Sequence, residues 1–219
     1  MPEDKRTTYR VKTDGFHGEL FRPKEDKYPG KALICFSGSD RGCEMSKLLA
    51  GVFQSQGLTT LAIAYVMEEG LPNQFVGVPI DSLEAATKHM HDMGYEKVGL
   101  WGISKGAELA LLAGSLLPGL VNAVIQVEKI TGPILLISSK MDNMWPSELA
   151  AKQIMKRLQE YEFQYLYQHL SYDYGSHLFV PMELRSRKFF KGDRGKNKEN
   201  GRKARMDSLV KTLEFVSKW

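Results

Sequence analysis

Val98-Gly99-Leu100-Trp101-Gly102-Ile103-Ser104-Lys105-Gly106 runs from an apolar strand into the helical segment Ala107 to Leu117 through a Gly-x-Ser-x-Gly turn. The two glycines let the chain turn from strand to helix within a few residues, which lifts the serine hydroxyl out at the C-terminal edge of a sheet. The pentapeptide alone is a weak signal, because a glycine-rich turn can carry an incidental serine. Its weight comes from the strand before it and the helix after it.

Working outward, strands and helices alternate in both directions. Upstream, Ala32 to Gly38 and Leu58 to Tyr65 are continuous apolar runs suited to strands buried on both faces, and Lys97 to Ile103 is the strand that leads into the turn. Met45 to Gln56 carries apolar residues at helical spacing, Asp81 to Met93 reads as a helix opened by an acidic cap residue, and Lys105 to Leu117 as a third. Tyr9 to Val11 and Gly15 to Phe21 read as two short strands joined by a turn at Thr13-Asp14-Gly15. Downstream come predicted strands at Val121 to Gln126, Pro133 to Ser138 and Phe163 to His169, a helix from Ser147 to Tyr161 capped by Ser147, and a final amphipathic helix through Met206, Leu209, Val210, Leu213 and Val216. Such alternation predicts an α/β fold with a mainly parallel sheet and helices on both faces. Only six residues, Val127 to Gly132, separate two of these strands, whereas a parallel crossover needs roughly a dozen. Either one of these strands is misassigned or a segment usual in this architecture is absent there.

The chain has 219 residues, 42% of them hydrophobic and 26% charged, which excludes disorder and suits a single domain over 1–219. No apolar run reaches the ~18 residues of a membrane span, and the charged N-terminus lacks the apolar core of a signal peptide. Two cysteines, Cys35 in a buried strand and Cys43 at a loop edge, are too few for a disulfide framework; a cytoplasmic protein is expected. Of the net charge of +4, the run Arg185 to Arg205 supplies ten cations against two anions, so the basicity is local. No nucleic-acid partner is expected, and the run reads first as a solvated loop.

A nucleophilic serine needs a base, and the base an orienting acid, which in this architecture follow the nucleophile in chain order after later strands. Of five histidines, His17, His89 and His91 precede Ser104, and His169 lies inside a predicted strand. His177, in the loop Tyr174-Gly175-Ser176-His177, is the best base. Asp142 follows the buried strand Ile134 to Ile137 and is the preferred acid; Asp173 is its rival on the histidine's own loop. Oxyanion donors are placed at the backbone N–H of Lys105, after the nucleophile, and of Ser39, in the loop after the first parallel strand. Met67, Met141, Met144 and Trp145 are candidates for an acyl pocket.

Phe36-Ser37-Gly38-Ser39-Asp40-Arg41-Gly42, Leu61 to Tyr65, Gly102 to Leu111, Val127 to Ala150 and Tyr174 to Pro181 resemble the C-terminal catalytic domain of acyl-CoA thioesterases and bile acid-CoA:amino acid N-acyltransferases. The resemblance runs from about Gly18 to Val180 and is most specific at Gly132-Pro133, Asp142 and Trp145-Pro146-Ser147-Glu148. It implies an α/β-hydrolase fold with a shortened or missing cap segment, and makes Ser104 the nucleophile, Asp142 the acid and His177 the base. The chain departs from the family in beginning directly at the hydrolase domain, without an N-terminal β-sandwich. The N-acyltransferases use cysteine as nucleophile, so serine at 104 favours hydrolysis.

The resemblance therefore implies a serine hydrolase of an acyl thioester or ester, acyl-CoA foremost, with no metal or cofactor. It also gives the basic run a sharper role, attraction of coenzyme A phosphates. The alternatives are a small-ester carboxylesterase of the dienelactone hydrolase kind and a non-catalytic binding protein of hydrolase fold.

Overall fold

The apolar runs Lys31–Phe36 and Thr59–Ala64 become strands buried along nearly their whole length, whereas Lys97–Gly102 stays half-buried. The computed structural model describes residues 7–116, 127–179 and 197–219. They fall into two compact units, Met1–Asn122 and Ala123–Trp219.

The first unit is built on a five-stranded sheet in the order β1-β2-β4-β3-β5. Its strands are β1 Thr8–Tyr9, β2 His17–Phe21, β3 Lys31–Phe36, β4 Thr59–Ala64 and β5 Lys97–Gly102; its longer helices are α2 Glu44–Gln54, α3 Asp81–Asp92 and α4 Lys105–Leu116. β3 runs parallel to both β4 and β5, with Ile34 beside Leu61 and Leu100, and Cys35 beside Ala62 and Trp101. β1 and β2 are antiparallel additions. Parallel partners share a face, so Ala32, Ile34, Phe36, Leu61 and Ile63 form one core with Leu83, Ala86 and Met90 of α3 and Leu109 and Ala113 of α4. The opposite face belongs to α2, where Thr60 Oγ1 donates to Ala50 O at 3.1 Å and the Phe53 ring meets Trp101 edge-on at 5.3 Å. Each fully buried aliphatic side chain in these layers stabilises the unit by about 1.5–3 kcal/mol. The expected arrangement of helices on both sheet faces is met in this unit.

Two local expectations fail. Between β1 and β2 the chain turns where the sequence placed a turn, but as a helical turn, α1 Val11–Asp14, ended by Gly15 at φ 80°, so Val11 leaves the first strand and Gly15 the second. The Asp14 carboxylate accepts the Arg10 N–H at 2.9 Å and the Thr13 hydroxyl at 2.6 Å, and such side-chain bonds favour a turn over a sheet ladder. Asp81 is likewise the first residue of α3 rather than its cap, which is Ile80 without a side-chain bond. Its carboxylate faces the positive end of the helix dipole from the first turn.

The second unit holds β6 Ile134–Ser139 and β7 Tyr167–Tyr172, parallel and in full register from Ile134↔Tyr167 to Ser139↔Tyr172. Helix α5, Ser147–Glu160, connects them, and α6, Lys198–Lys218, follows. β7 starts later than the predicted Phe163, because the Phe163 N–H closes the end of α5 on Leu158 O at 3.0 Å. Pro146 occupies the cap position of α5, and the hydroxyl of Ser147 accepts the Ser139 N–H at 3.4 Å instead of capping the helix. Helix α6 begins at Lys198, so Lys198 to Arg205 of the basic run is helical rather than a loop, and the pair Lys203–Glu199 at 2.8 Å links successive turns. The rest of that run, and the predicted strand Val121 to Gln126, lie outside the described residues. The short linker contains a single 3₁₀ turn, Val127–Lys129, whose Glu128 is gripped by Arg157 of α5 through two bonds of 2.6 and 2.7 Å. No described helix is long and apolar enough to cross a membrane.

Candidate active site

Ser104 stands between β5 and α4 with φ 56°, in the left-handed region that costs a residue with a Cβ roughly 1–2 kcal/mol. The flanking glycines make the turn possible: a Cβ on Gly102 would strike the carbonyl of Gly106, and one on Gly106 would strike the carbonyl of Ser37. Lys105 is the first residue of α4, where backbone N–H groups have no intrahelical acceptor and the helix dipole favours negative charge. This strained strand–turn–helix is the context that the Gly-x-Ser-x-Gly motif requires.

The loop after β3 lies against the same turn. A Cβ on Gly38 would come within 2.8 Å of Ser104 Cβ and 3.4 Å of Ser104 Oγ. Ser39 is exposed beside it. The loop is held by the Ser37 N–H on Ser46 Oγ at 3.1 Å, by the Ser37 hydroxyl on Asp40 at 2.7 Å, and by the Tyr65 hydroxyl on the carbonyls of Gly38 and Ser37. Asp40 and Tyr65 lie in stretches that carry the resemblance but no role was read for them there, and Ser46 lies outside those stretches.

In the second unit, His177 Nδ1 lies 3.0 and 3.1 Å from the two carboxylate oxygens of Asp142, with both side chains less than 8% exposed. Burial by itself pushes the Asp142 carboxyl up, but the hydrogen bond from His177 and the N–H groups of Met144 and Trp145, 3.0 and 3.1 Å from Oδ1, outweigh it and hold the acid below the usual carboxylate range. Asp142 is therefore an anion at neutral pH, oriented by two backbone donors, with the imidazole ring on its carboxylate. The Ser139 hydroxyl joins the two loops: it accepts the Met141 N–H at 3.1 Å and donates to Gly175 O at 3.2 Å. Asp173, the rival acid, pairs with Lys140 at 2.6 Å and is 70% exposed.

The first unit thus holds a serine in the left-handed region at a strand–helix turn, and the second a buried carboxylate–imidazole pair. Residues 119–190 match the sequence model of the BAAT / acyl-CoA thioester hydrolase C-terminal family. Human acyl-coenzyme A thioesterase 1 is 33% identical over 119 residues, covering 52% of this chain and 27% of the relative. Mouse mitochondrial acyl-coenzyme A thioesterase 2 is 29% identical over 139 residues, covering 62% and 30%. The chain thus spans less than a third of the length of either relative. Among solved structures, a dienelactone hydrolase from Anabaena variabilis aligns with TM-score 0.54 and 24% identity over 74% of this chain and 82% of its own. A dienelactone hydrolase-like promiscuous phosphotriesterase from metagenomic libraries aligns with TM-score 0.66 and 14% identity over 98% and 97%. The chain has the α/β-hydrolase fold. In sequence it is similar to the acyl-CoA thioesterases, as its loop motifs implied, although the family model matches only residues 119–190, less than the stretch from Gly18 to Val180.

The remaining histidines have other partners. His17 is 3.8 Å from Glu68, His91 Nδ1 meets Tyr95 O at 2.8 Å, and the His89 ring packs against Tyr9 and Phe16. His169 lies in β7 with Nε2 2.7 Å from the Ser138 hydroxyl, so the nitrogen that a base would offer is already engaged. Both cysteines are free and buried, and burial raises both thiols, Cys43 to about 12, which leaves neither as a thiolate nucleophile. Met67 packs on the core of the first unit, whereas Met144 and Trp145 of the second are about half exposed. Among the described residues no group of three or more His, Cys, Asp or Glu side chains is placed to hold a metal ion.

Glu148 fixes the base of the acid loop. Its Oε2 accepts the hydroxyls of Ser138 and Ser171 at 2.7 Å each, tying α5 to the ends of β6 and β7, and Lys152 pairs with Oε1 at 2.9 Å. Burial raises this acid, but the two hydroxyls and Lys152 outweigh it and bring it down to about 2. A depressed acid contributes stability that is present above its unfolded value and lost as pH falls toward 2. Glu148→Gln is expected to lower stability by on the order of 2 kcal/mol at pH 7, with the difference from wild type closing between about pH 4.5 and 2. Thermal melts of both proteins across that range measure it, and a gap that stays constant down to pH 2 refutes it.

Proposed function

We propose that the chain is a serine hydrolase of acyl thioesters or esters, with acyl-CoA as the foremost substrate class. Ser104 Oγ attacks the acyl carbonyl as His177 Nε2 takes its proton, and the developing oxyanion is met by the N–H groups of Lys105 and Ser39. Collapse expels the thiolate or alkoxide, which receives the proton from His177 and leaves Ser104 acylated. Water, deprotonated by His177, then attacks the ester, and the carboxylic acid departs as Ser104 regains its proton. Asp142 holds the imidazole with Nδ1–H toward itself and stabilises the imidazolium in both halves. The proposed chemistry uses no cofactor or metal, and it requires residues 1–219 to work as one hydrolase domain.

The observation that carries this reading is the buried Asp142–His177 pair. A carboxylate removed from water and bonded to the Nδ1 side of an imidazole leaves Nε2 to move a proton. Kinship with the thioesterases supports the thioester over other acyl substrates, and serine at 104 supports water as the acceptor.

The test is fluorophosphonate labelling of the purified chain, read by peptide mass, together with hydrolysis of acyl-CoAs and p-nitrophenyl esters of matched chain length. Labelling at Ser104 with acyl-CoA turnover is expected. Turnover of the p-nitrophenyl esters alone moves the assignment to a small-ester carboxylesterase. A folded chain that is neither labelled nor active overturns the enzymatic reading and leaves a binding protein.

A further inference from the structure

Tyr65 directly follows β4, 6% exposed, with its ring packed edge-on against Phe36 at 6.3 Å and Phe75 at 6.1 Å. Its hydroxyl hydrogen-bonds to the carbonyl of Gly38 and lies 3.1 Å from that of Ser37. In a planar trans peptide the C=O and the following N–H point in opposite directions. A Gly38 carbonyl anchored on the phenol therefore turns the Ser39 N–H away from the buried ring. Gly38 is also the residue whose Cα faces the nucleophile, since a Cβ there would lie 2.8 Å from Ser104 Cβ.

We propose that Tyr65 is a positioning residue, whose phenol sets the plane of the Gly38–Ser39 peptide and so aims the Ser39 N–H as an oxyanion donor. This deepens the serine-hydrolase reading and rests on it. The peptide needs such a restraint, because glycine has no Cβ to oppose rotation of the peptide plane beside it. The Ser46 and Asp40 bonds hold Ser37, one residue earlier, and do not reach the Gly38–Ser39 peptide. A proton donated to Gly38 O also polarises that peptide, which makes its N–H a stronger donor. Burial, with Asp40 and Glu108 nearby, raises the phenol, so it keeps the proton it donates.

Tyr65→Phe removes the donated proton and keeps the ring. Its kcat on a p-nitrophenyl ester is expected to fall about tenfold, less than the 10²–10³ for outright loss of an oxyanion donor, because the N–H remains but is poorly aimed. KM should stay within about twofold, and affinity for a trifluoromethyl ketone, which mimics the tetrahedral oxyanion, should fall by the same factor as kcat/KM. A kcat within twofold of wild type, or a loss that leaves trifluoromethyl ketone binding unchanged, overturns the proposal. If Tyr65→Phe does not fold, the wild-type protein still decides: the Ser39 amide proton must move downfield in NMR spectra when Ser104 is phosphonylated, and a stationary signal overturns it. Fluorophosphonate labelling separates the two levels. Unlabelled Ser104 removes the hydrolase reading itself, whereas labelled Ser104 with unaltered Tyr65→Phe kinetics removes only the role of Tyr65.

Discussion

Ser104→Ala is expected to reduce turnover by several orders of magnitude, and His177→Ala by a comparable factor, while both variants remain folded. The two losses should be similar rather than additive in Ser104→Ala/His177→Ala, because in the proposed mechanism nucleophile and base serve one proton transfer and removing either abolishes it. Folding should survive for different reasons at the two positions. Alanine at 104 keeps a Cβ at φ 56°, so the backbone strain is the same before and after the change. At 177 the loss is a buried ring and one bond to Asp142, set against a loop still held by Ser139 on Gly175 O. Initial rates on an acyl-CoA and a p-nitrophenyl ester, with thermal melts of each variant, check the result. Comparable activity in Ser104→Ala would sink the assignment of the nucleophile, whatever happened at His177.

What the sequence discloses about this site depends on the range over which each feature is written. The strand–turn–helix at Ser104 is local: two glycines at fixed offsets and two hydrophobic periodicities suffice to read it, and the backbone takes the conformation they imply. The pairing of Asp142 with His177 is long-range, yet it was legible because each residue follows its own strand, and parallel strands in register bring their C-terminal ends together. Asp173 loses that competition because Lys140 engages it in the exposed part of the loop. The roles of Tyr65, Ser46, Ser139 and Glu148 stayed hidden, although all but Ser46 fall within the stretches that carry the resemblance. A tyrosine ending an apolar strand reads as core, and nothing near it in sequence marks a bond to a carbonyl 27 residues away. The cap residues failed for a related reason: Ser147 has a suitable hydroxyl, but Ser139 on the neighbouring strand makes use of it. Helix caps are local preferences of about 1 kcal/mol, and a tertiary hydrogen bond of similar strength can replace them.

Asp142→Asn should cost about 10⁴-fold in kcat, through the tautomer of His177 rather than through any loss of fold. The wild-type carboxylate accepts at both oxygens, so His177 must place its proton on Nδ1 and leave Nε2 with a lone pair, which the proposed mechanism uses for the serine proton. Asparagine at 142 offers an NH₂ group. Because Met144 and Trp145 both donate to Oδ1, the amide oxygen is held on that side and the NH₂ is turned toward the imidazole. The favoured partner is then an unprotonated Nδ1, which moves the ring proton to Nε2, where it blocks general-base catalysis. Asp173→Asn is the matched control: it removes a carboxylate from the same neighbourhood, but one that is 70% exposed and bonded to Lys140, so turnover should stay within about twofold. Kinetics of the two variants side by side, with NMR of the imidazole nitrogens to identify the tautomer, measure the difference. If Asp173→Asn proved the damaging change and Asp142→Asn the mild one, the acid would be Asp173 and the buried pair at Asp142 a structural bond only.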